Sequence, residues 1–249
     1  MTLITAEALL LDVRDLHDRD RIVTFLTREQ GKKKGVAKGA RTRHSRFAGE
    51  LQPLTKVQVT WFEKEGRDLV RISSVEMVRS AHRLQEDLDG ILLGSYLADH
   101  LLEMAQENEP SDLFFRLLDS TLDALLAGVD RDLAARYFEV WVLRLAGVYP
   151  PPHECPACGR PLDWAVLPSN GETLLCLDCG GGEAGLIVRP ETLEILRGIG
   201  RLSLPKLAET PPAPAALRQL EEVSARIRRH FLQRELRSYE VIQKTRAAL

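Results

Sequence analysis

The 249-residue chain, 27.9 kDa with 44% hydrophobic and 28% charged residues, has the composition of a folded globular protein with room for one large domain or two to three small ones. Disordered, collagen-like and coiled-coil architectures are excluded on composition, and no apolar stretch reaches the roughly 18 residues of a membrane span. The formal net charge of −2 is an average over segregated regions: residues 1–80 hold 16 Lys+Arg against 11 Asp+Glu, 81–150 hold 5 against 13, 151–189 hold 2 against 5, and 190–249 hold 11 against 7. The start MTLITAEALLLD lacks a basic flank followed by an apolar core, so a cytoplasmic protein with no membrane partner is expected.

Five short strands are predicted across the first 80 residues. Leu9, Leu11 and Val13 alternate with Leu10 and Asp12, and Ile22, Val23, Phe25 and Leu26 form an apolar block before Gly31. Val36 and Ala37 mark a third segment, Val57, Val59 and Trp61 alternate with polar residues, and Leu69 to Val78 completes the set. A β-domain of this size is compatible with an OB-fold, an SH3-like barrel or a small sandwich, and periodicity does not choose among them.

Charge helps to choose. No acid lies between Glu29 and Glu50, while Lys32, Lys33, Lys34, Lys38, Arg41, Arg43 and Arg46 place seven cations in fifteen positions. Gly31, Gly35 and Gly39 are interleaved, permitting sharp turns or close approach of a ligand. A solvated loop is the ordinary explanation of a lysine triplet; the length of the acid-free run favours a groove that tracks a nucleic-acid backbone. OB-folds combine such a groove with aromatic platforms. Trp61 alternates with core valines and is expected inside, whereas Phe62 faces the other way and is the better stacking candidate, with Phe47 beside Arg46 as a second.

From Leu84 the period becomes helical, through Leu88, Ile91, Ser95, Ala98, Leu102 and Ala105. A second helix starts at Pro110-Ser111-Asp112 and ends at Gly128; a third runs from Asp130 to the break at Pro150–Pro152. Three antiparallel helices over 81–152 are expected to form a small bundle. Their acids mostly lie off the apolar stripes, as a solvated face or a docking surface for a basic partner.

Cys155-Pro-Ala-Cys158 and Cys176-Leu-Asp-Cys179 are the strongest local signal. Two C-x-x-C turns present four thiolates to one tetrahedral Zn²⁺, and with no secretory signal a disulfide pair is disfavoured. All four positions are sulfur, so a single structural zinc holding a small ribbon is expected over 153–188, with His153 an exposed neighbour rather than a ligand. Beyond it, Arg189-Pro190-Glu191 begins a helix, prolines 211, 212 and 214 form a link, and a last helix carries Leu217, Leu220, Ile227 and Phe231. Arg218, Arg226, Arg228 and Arg229 surround that face, either extending a nucleic-acid surface or solvating the helix.

The order of basic five-stranded front, helical middle, four-cysteine ribbon and closing helix resembles the RecO family of bacterial recombination mediators along essentially the whole chain. Asp18 to Thr27 leading to Gly31, Val36-Ala37-Lys38-Gly39-Ala40-Arg41, Leu51-Gln52-Pro53-Leu54, and the closing Arg237-Ser238 carry the resemblance. It implies an α+β multidomain protein: an N-terminal OB-fold DNA-binding domain over 1–80, a helical bundle over 81–152, an inserted zinc ribbon over 153–188, and C-terminal helices over 189–249 packing on the bundle. It also implies a non-enzymatic function in DNA repair. Such a protein binds single- and double-stranded DNA, anneals complementary strands and, with RecR, helps load RecA onto strands coated by SSB, whose C-terminal tail it contacts. Zinc in the family is structural where the cysteines are kept. Lys38 and Arg41 become first-choice DNA contacts by this resemblance, and the other five cations are supported by charge alone.

Two rival readings come from other classes. A zinc-ribbon RNA-binding or transcription-associated module would use the same fold elements. A nuclease would use acids of residues 86–132 around a metal, but nothing groups them with a histidine, and no G-x-x-x-x-G-K-[ST] loop is present for ATP.

Overall fold

The computed structural model describes residues 2–47, 49–64, 66, 68–182 and 184–248. They form two compact units, residues 1–126 with 241–249 and residues 127–240.

In the first unit, β1 (Thr2–Leu16), β2 (Asp20–Thr27), β3 (Lys32–Ala37), β4 (Lys56–Glu63) and β5 (Leu69–Arg79) close into an OB-like barrel in the order β1-β2-β3-β5-β4. Only the β3–β5 pair is parallel. Closure depends on β1, which pairs with β4 through Thr2–Leu9 and with β2 through Ala8–Leu16. Its register shifts between Leu10 and Asp12, the bend a bulge supplies where one strand must serve two partners. The alternation read from the sequence holds on β4, where Val57, Val59 and Trp61 face the core with Val23, Phe25 and Ile72, but β1 takes the opposite phase: Ala8 and Leu10 enter the core rather than Leu9 and Leu11, and Val13 comes round to pack against it past the register shift. Phe25 meets Trp61 edge-on, ring centroids 5.4 Å apart.

The three predicted helices exist as α1 (Leu88–Met104), α2 (Asp112–Leu126) and α3 (Arg131–Leu145). The first two belong with the barrel; α3 belongs to the second unit. Gly94 explains the seating of α1, because a Cβ there would lie 2.6 Å from Leu54 Cδ1. Charge explains α2. Asp119 receives Lys56 Nζ at 3.0 Å and Arg79 Nη1 at 2.9 Å, and Arg28 reaches Asp112 at 3.0 Å. The acids of α2 thus meet barrel cations, and the basic partner considered for this face is the chain's own barrel.

In the second unit, a ribbon built on β6 (Ala165–Pro168), α4 (Leu177–Gly180) and β7 (Gly185–Val188) is followed by α5 (Pro190–Ile199), α6 (Leu204–Ala208) and α7 (Pro214–Leu232). The last helix, α8 (Arg237–Ala248), starts in this unit, and its residues from Val241 onward count with the first. Helix α3 packs on α7, and Arg136 is buried there between Glu139 at 2.6 Å and Glu221 at 2.5 Å. Among the described residues, no helix is long and apolar enough to cross a membrane.

Candidate nucleic-acid face and metal centre

The seven cations of the acid-free run divide into two groups. The lysine triplet lies on β3 and is largely consumed by the domain itself. Lys32 and Lys33 are only 8% and 5% exposed; Lys32 Nζ donates to the Leu102 carbonyl, and Lys33 Nζ to Glu63 at 2.7 Å. Lys34 is exposed and meets Glu107 at 2.5 Å. Burial is the largest influence on Lys32 and pulls its ammonium below its ordinary pKa, with Glu107 opposing. The backbone follows the same path, Lys32 N–H donating to the Gln106 carbonyl and Asn108 N–H to the Lys32 carbonyl. Two of the glycines have a local purpose too. Gly31 has φ +65°, and a Cβ there would fall 2.0 Å from the Glu109 carbonyl oxygen; a Cβ on Gly35 would collide with Val70 and Ile72. Close approach is made at these positions by the chain itself, not by a ligand.

Lys38, Arg41, Arg43 and Arg46 occupy the β3–β4 connection and are all exposed. Successive turns shape it: Thr42 N–H donates to the Gly39 carbonyl, Ser45 N–H to that of Thr42, and Gly39 itself has φ +74°. The β1–β2 hairpin holds it in place. Gly39 N–H donates to Asp20 Oδ1 at 2.8 Å and Arg41 N–H to the Arg19 carbonyl at 3.0 Å. The Arg41 guanidinium donates to the His17 carbonyl at 2.8 Å and pairs with Asp15 at 3.3 Å. Arg41 is therefore partly a strut. Lys38, Arg43 and Arg46 have no acidic partner among the described residues, and Arg46 lies over the Phe47 ring at 4.9 Å. Phe47 is 2% exposed and its ring belongs to the core, so it offers no stacking platform. Phe62 is half-buried on the outer face of β4, opposite Leu3 and Arg71 in register. The structure thus brings four of the candidates into one loop, ties three to the domain, and sets Phe62 on a strand face.

The four cysteines come together. Their Sγ atoms lie within 4.8 Å of one another, and those of Cys158 and Cys176 are 3.7 Å apart. A tetrahedral ion with metal–sulfur bonds of ~2.3 Å requires sulfur–sulfur edges of about 3.8 Å, so the set fits a metal such as zinc. The first knuckle closes through Gly159 N–H on the Cys155 carbonyl at 2.8 Å, and Gly159 takes φ +72°. The second closes through Gly180 N–H on the Cys176 carbonyl at 2.8 Å. Here glycine is needed for packing, since a Cβ would lie 2.8 Å from Val166 Cβ. The Arg160 guanidinium is the first cause holding the Cys158 thiol down, to about 6. Backbone hydrogen bonding from Cys176 leads in lowering Cys155, and neighbouring thiols drive Cys179 up to about 12. His153 is exposed and lies outside the cluster.

The arginines of α7 are mostly committed. Arg228 is buried against Glu235 at 2.7 Å, Arg229 shares that carboxylate at 3.1 Å, and Arg226 donates to the Leu167 carbonyl at 3.3 Å, leaving Arg218 fully at the surface. Sequence reasoning missed Arg160, although a cation directly after a C-x-x-C-G turn was visible. It also missed Asp15 and Asp20, whose role emerges only when the hairpin folds against the loop.

Similarity to known proteins covers the chain in two consecutive parts. The family model for recombination protein O, N-terminal, matches residues 1–81, and that for recombination protein O, C-terminal, matches residues 85–240. The chain is 37% identical over 225 residues to the DNA repair protein RecO of Anaeromyxobacter sp. strain K, covering 89% of both chains. It is 31% identical over 247 residues to that of Roseiflexus sp. strain RS-1, covering 98% of this chain and 86% of the relative. With that of Pelotomaculum thermopropionicum it shares 30% identity over 254 residues, 98% of this chain and 95% of the relative. With an OB-like barrel in front, a helical part behind, four clustered cysteines within that helical part, and matches spanning both halves, the chain belongs to the RecO family of DNA repair proteins.

Proposed function

We propose that the protein is a recombination mediator in DNA repair that binds single- and double-stranded DNA, anneals complementary strands and, with RecR, helps load RecA onto SSB-coated single strands. The observation that carries the DNA-contact part is the loop over residues 38–46: exposed cations, no acid in the segment, and a hairpin that holds the loop on an OB-like barrel. Family membership supports the roles of RecR, of the SSB C-terminal tail and of RecA. Lys38, Arg43 and Arg46 contact phosphate, Arg41 contacts it while bracing the loop, and Phe62 is the stacking residue. Lys32 and Lys33 drop out as direct contacts because both residues are largely buried and their ammonium groups are hydrogen-bonded within the domain, to the Leu102 carbonyl and to Glu63. One zinc ion is held by Cys155, Cys158, Cys176 and Cys179 and is structural. The protein acts in the cytoplasm, on the nucleoid.

The activity needs no bond chemistry. Each phosphate neutralised by a cation releases counterions, and two strands held by phosphate contacts keep their base edges free to pair. Fluorescence anisotropy of labelled single-stranded DNA over a salt series tests the site. Lys38→Ala with Arg43→Ala is expected to flatten the log K against log salt slope by about 1.4 units, two contacts at ~0.7 each. An unchanged slope moves DNA off this loop. RNA bound far more tightly than DNA, with RecR ignored, overturns the mediator reading in favour of an RNA-binding module.

A further inference from the structure

Around the four cysteines one cation is unusually placed. Arg160 Nε lies 3.5 Å from Cys158 Sγ and Nη2 lies 3.8 Å from Cys176 Sγ, so one planar fork spans sulfurs belonging to different knuckles. Both ends of the residue are fixed. Its carbonyl accepts the Cys155 N–H at 2.8 Å, and its Nη2 donates to Asp178 Oδ2 at 2.6 Å, on the short helix between Cys176 and Cys179. The main chain of Arg160 is thus part of the first knuckle, while its side chain is tied to the second.

Four thiolates around a divalent cation leave a formal charge of −2 on the centre. A guanidinium keeps its charge across the working pH range, and its charge-assisted N–H···S bonds reduce the repulsion among the sulfurs. We propose that Arg160 is the positioning residue of this metal centre: it clamps the two knuckles together through Cys158 and Cys176, offsets the tetrathiolate charge and slows loss of the ion. Asp178 aims the fork, and as an ion-pair partner at 2.6 Å it also offsets part of its charge. The proposal rests on the reading that the four cysteines hold a metal. Arg160 is 58% exposed, so water screens part of the attraction, and the effect falls at the lower end of the ten- to hundredfold range known for outer partners of metal ligands.

Full-length protein loaded with Zn²⁺ is compared with Arg160→Gln, Arg160→Lys and Asp178→Asn, following ion transfer to a coloured chelator and titrating Zn²⁺ affinity by competition. Arg160→Gln is expected to release zinc about tenfold faster and bind it about tenfold more weakly. Arg160→Lys keeps the charge but loses the two-sulfur fork and falls between; Asp178→Asn loosens the aim but lifts a carboxylate from beside the guanidinium, two opposed effects, so it departs less from wild type than Arg160→Gln. In Co²⁺-substituted protein, the sulfur-to-cobalt charge-transfer band of Arg160→Gln shifts to lower energy, a change that a purely packing role would not produce. If Arg160→Gln does not fold, the Lys and Asn variants carry the comparison. Release rates and spectra equal to wild type in variants that bind one ion overturn the role of Arg160. Wild type that takes up no ion overturns the metal reading itself.

Discussion

Lys32 Nζ donates to the Leu102 carbonyl oxygen at 2.5 Å, placing an ammonium in the last turn of α1, where unpaired carbonyls and the helix dipole favour a cation. Losing this bond removes a charge-assisted cap, but also the desolvation cost of a buried ammonium, so the two effects partly offset. Lys32→Met, which keeps the apolar stem, is expected to lower stability by about 1 kcal/mol in urea unfolding and leave DNA affinity per folded molecule unchanged. Lys38→Ala should do the reverse. A Lys32→Met protein of normal stability that has lost DNA affinity would return the triplet to the nucleic-acid face.

The neighbouring pair gives an acid-limb prediction. The hydrogen bond from Lys34 is the first cause pulling Glu107 below its ordinary 4.5. A carboxylate with a depressed folded-state pKa contributes stability that is present above 4.5 and is lost as pH falls through the folded value. Both side chains are 44% exposed, so the pair is screened and its worth is only about 0.5 kcal/mol. Glu107→Gln is expected to lower stability by that amount at pH 7 and low salt, with the difference from wild type shrinking below pH 4.5 and in high salt. A difference independent of both pH and salt would mean that the carboxylate acts through packing.

Gly31 and Gly39 separate backbone conformation from steric contact. Both have positive φ, but a Cβ on Gly31 would strike the Glu109 carbonyl oxygen, whereas the nearest atom to a Cβ on Gly39 is Thr42 Oγ1 at 3.9 Å. Gly39→Ala should cost only the left-handed penalty, about 1 kcal/mol. Gly31→Ala adds a backbone collision and should cost at least ~3 kcal/mol, because the segment over 106–111 must move. Equal midpoints for the two variants in urea would show that this segment yields freely.

Much of the fold was legible because the barrel strands alternate and the helices carry four-and-three stripes. Trp61 read as core from its place among Val57 and Val59, and the structure seats it against Phe25. The cysteine spacing likewise indicated a cluster. Tertiary pairing was not legible. Periodicity marks α1, α2 and α3 as amphipathic but says nothing about which surface each covers, and Asp119 is a surface acid until Lys56 and Arg79 fold beneath it. The different burial of the lysines within the basic run was hidden for the same reason. A strand inside a closed barrel has two faces and two ends, and a lysine can lay its stem against the domain and give its ammonium to a neighbouring helix carbonyl, as Lys32 does.

The ribbon supplies the last prediction. Its regular structure is small: β6 and β7 have four residues each and pair over Ala165–Pro168 and Gly185–Val188, with Val166 and Leu175 bridging beside them. Such a segment buries too little apolar surface to hold two knuckles closed, so metal-binding energy is folding energy there. Cys176→Ser removes a buried ligand and is expected to abolish stoichiometric zinc, lower the soluble yield and expose the amides of Val166 and Leu175 to rapid hydrogen exchange. Prolonged chelation of the wild type should give the same exchange pattern. The barrel amides, such as those of Val23 and Val59, should keep their protection, because the cation loop and the cysteines belong to different compact units. DNA affinity per soluble molecule should therefore survive at first. Cys176→Ser protein with full zinc and normal exchange would remove the metal from the fold's support, whereas loss of protection throughout the barrel would make the ribbon a condition of the whole chain's folding.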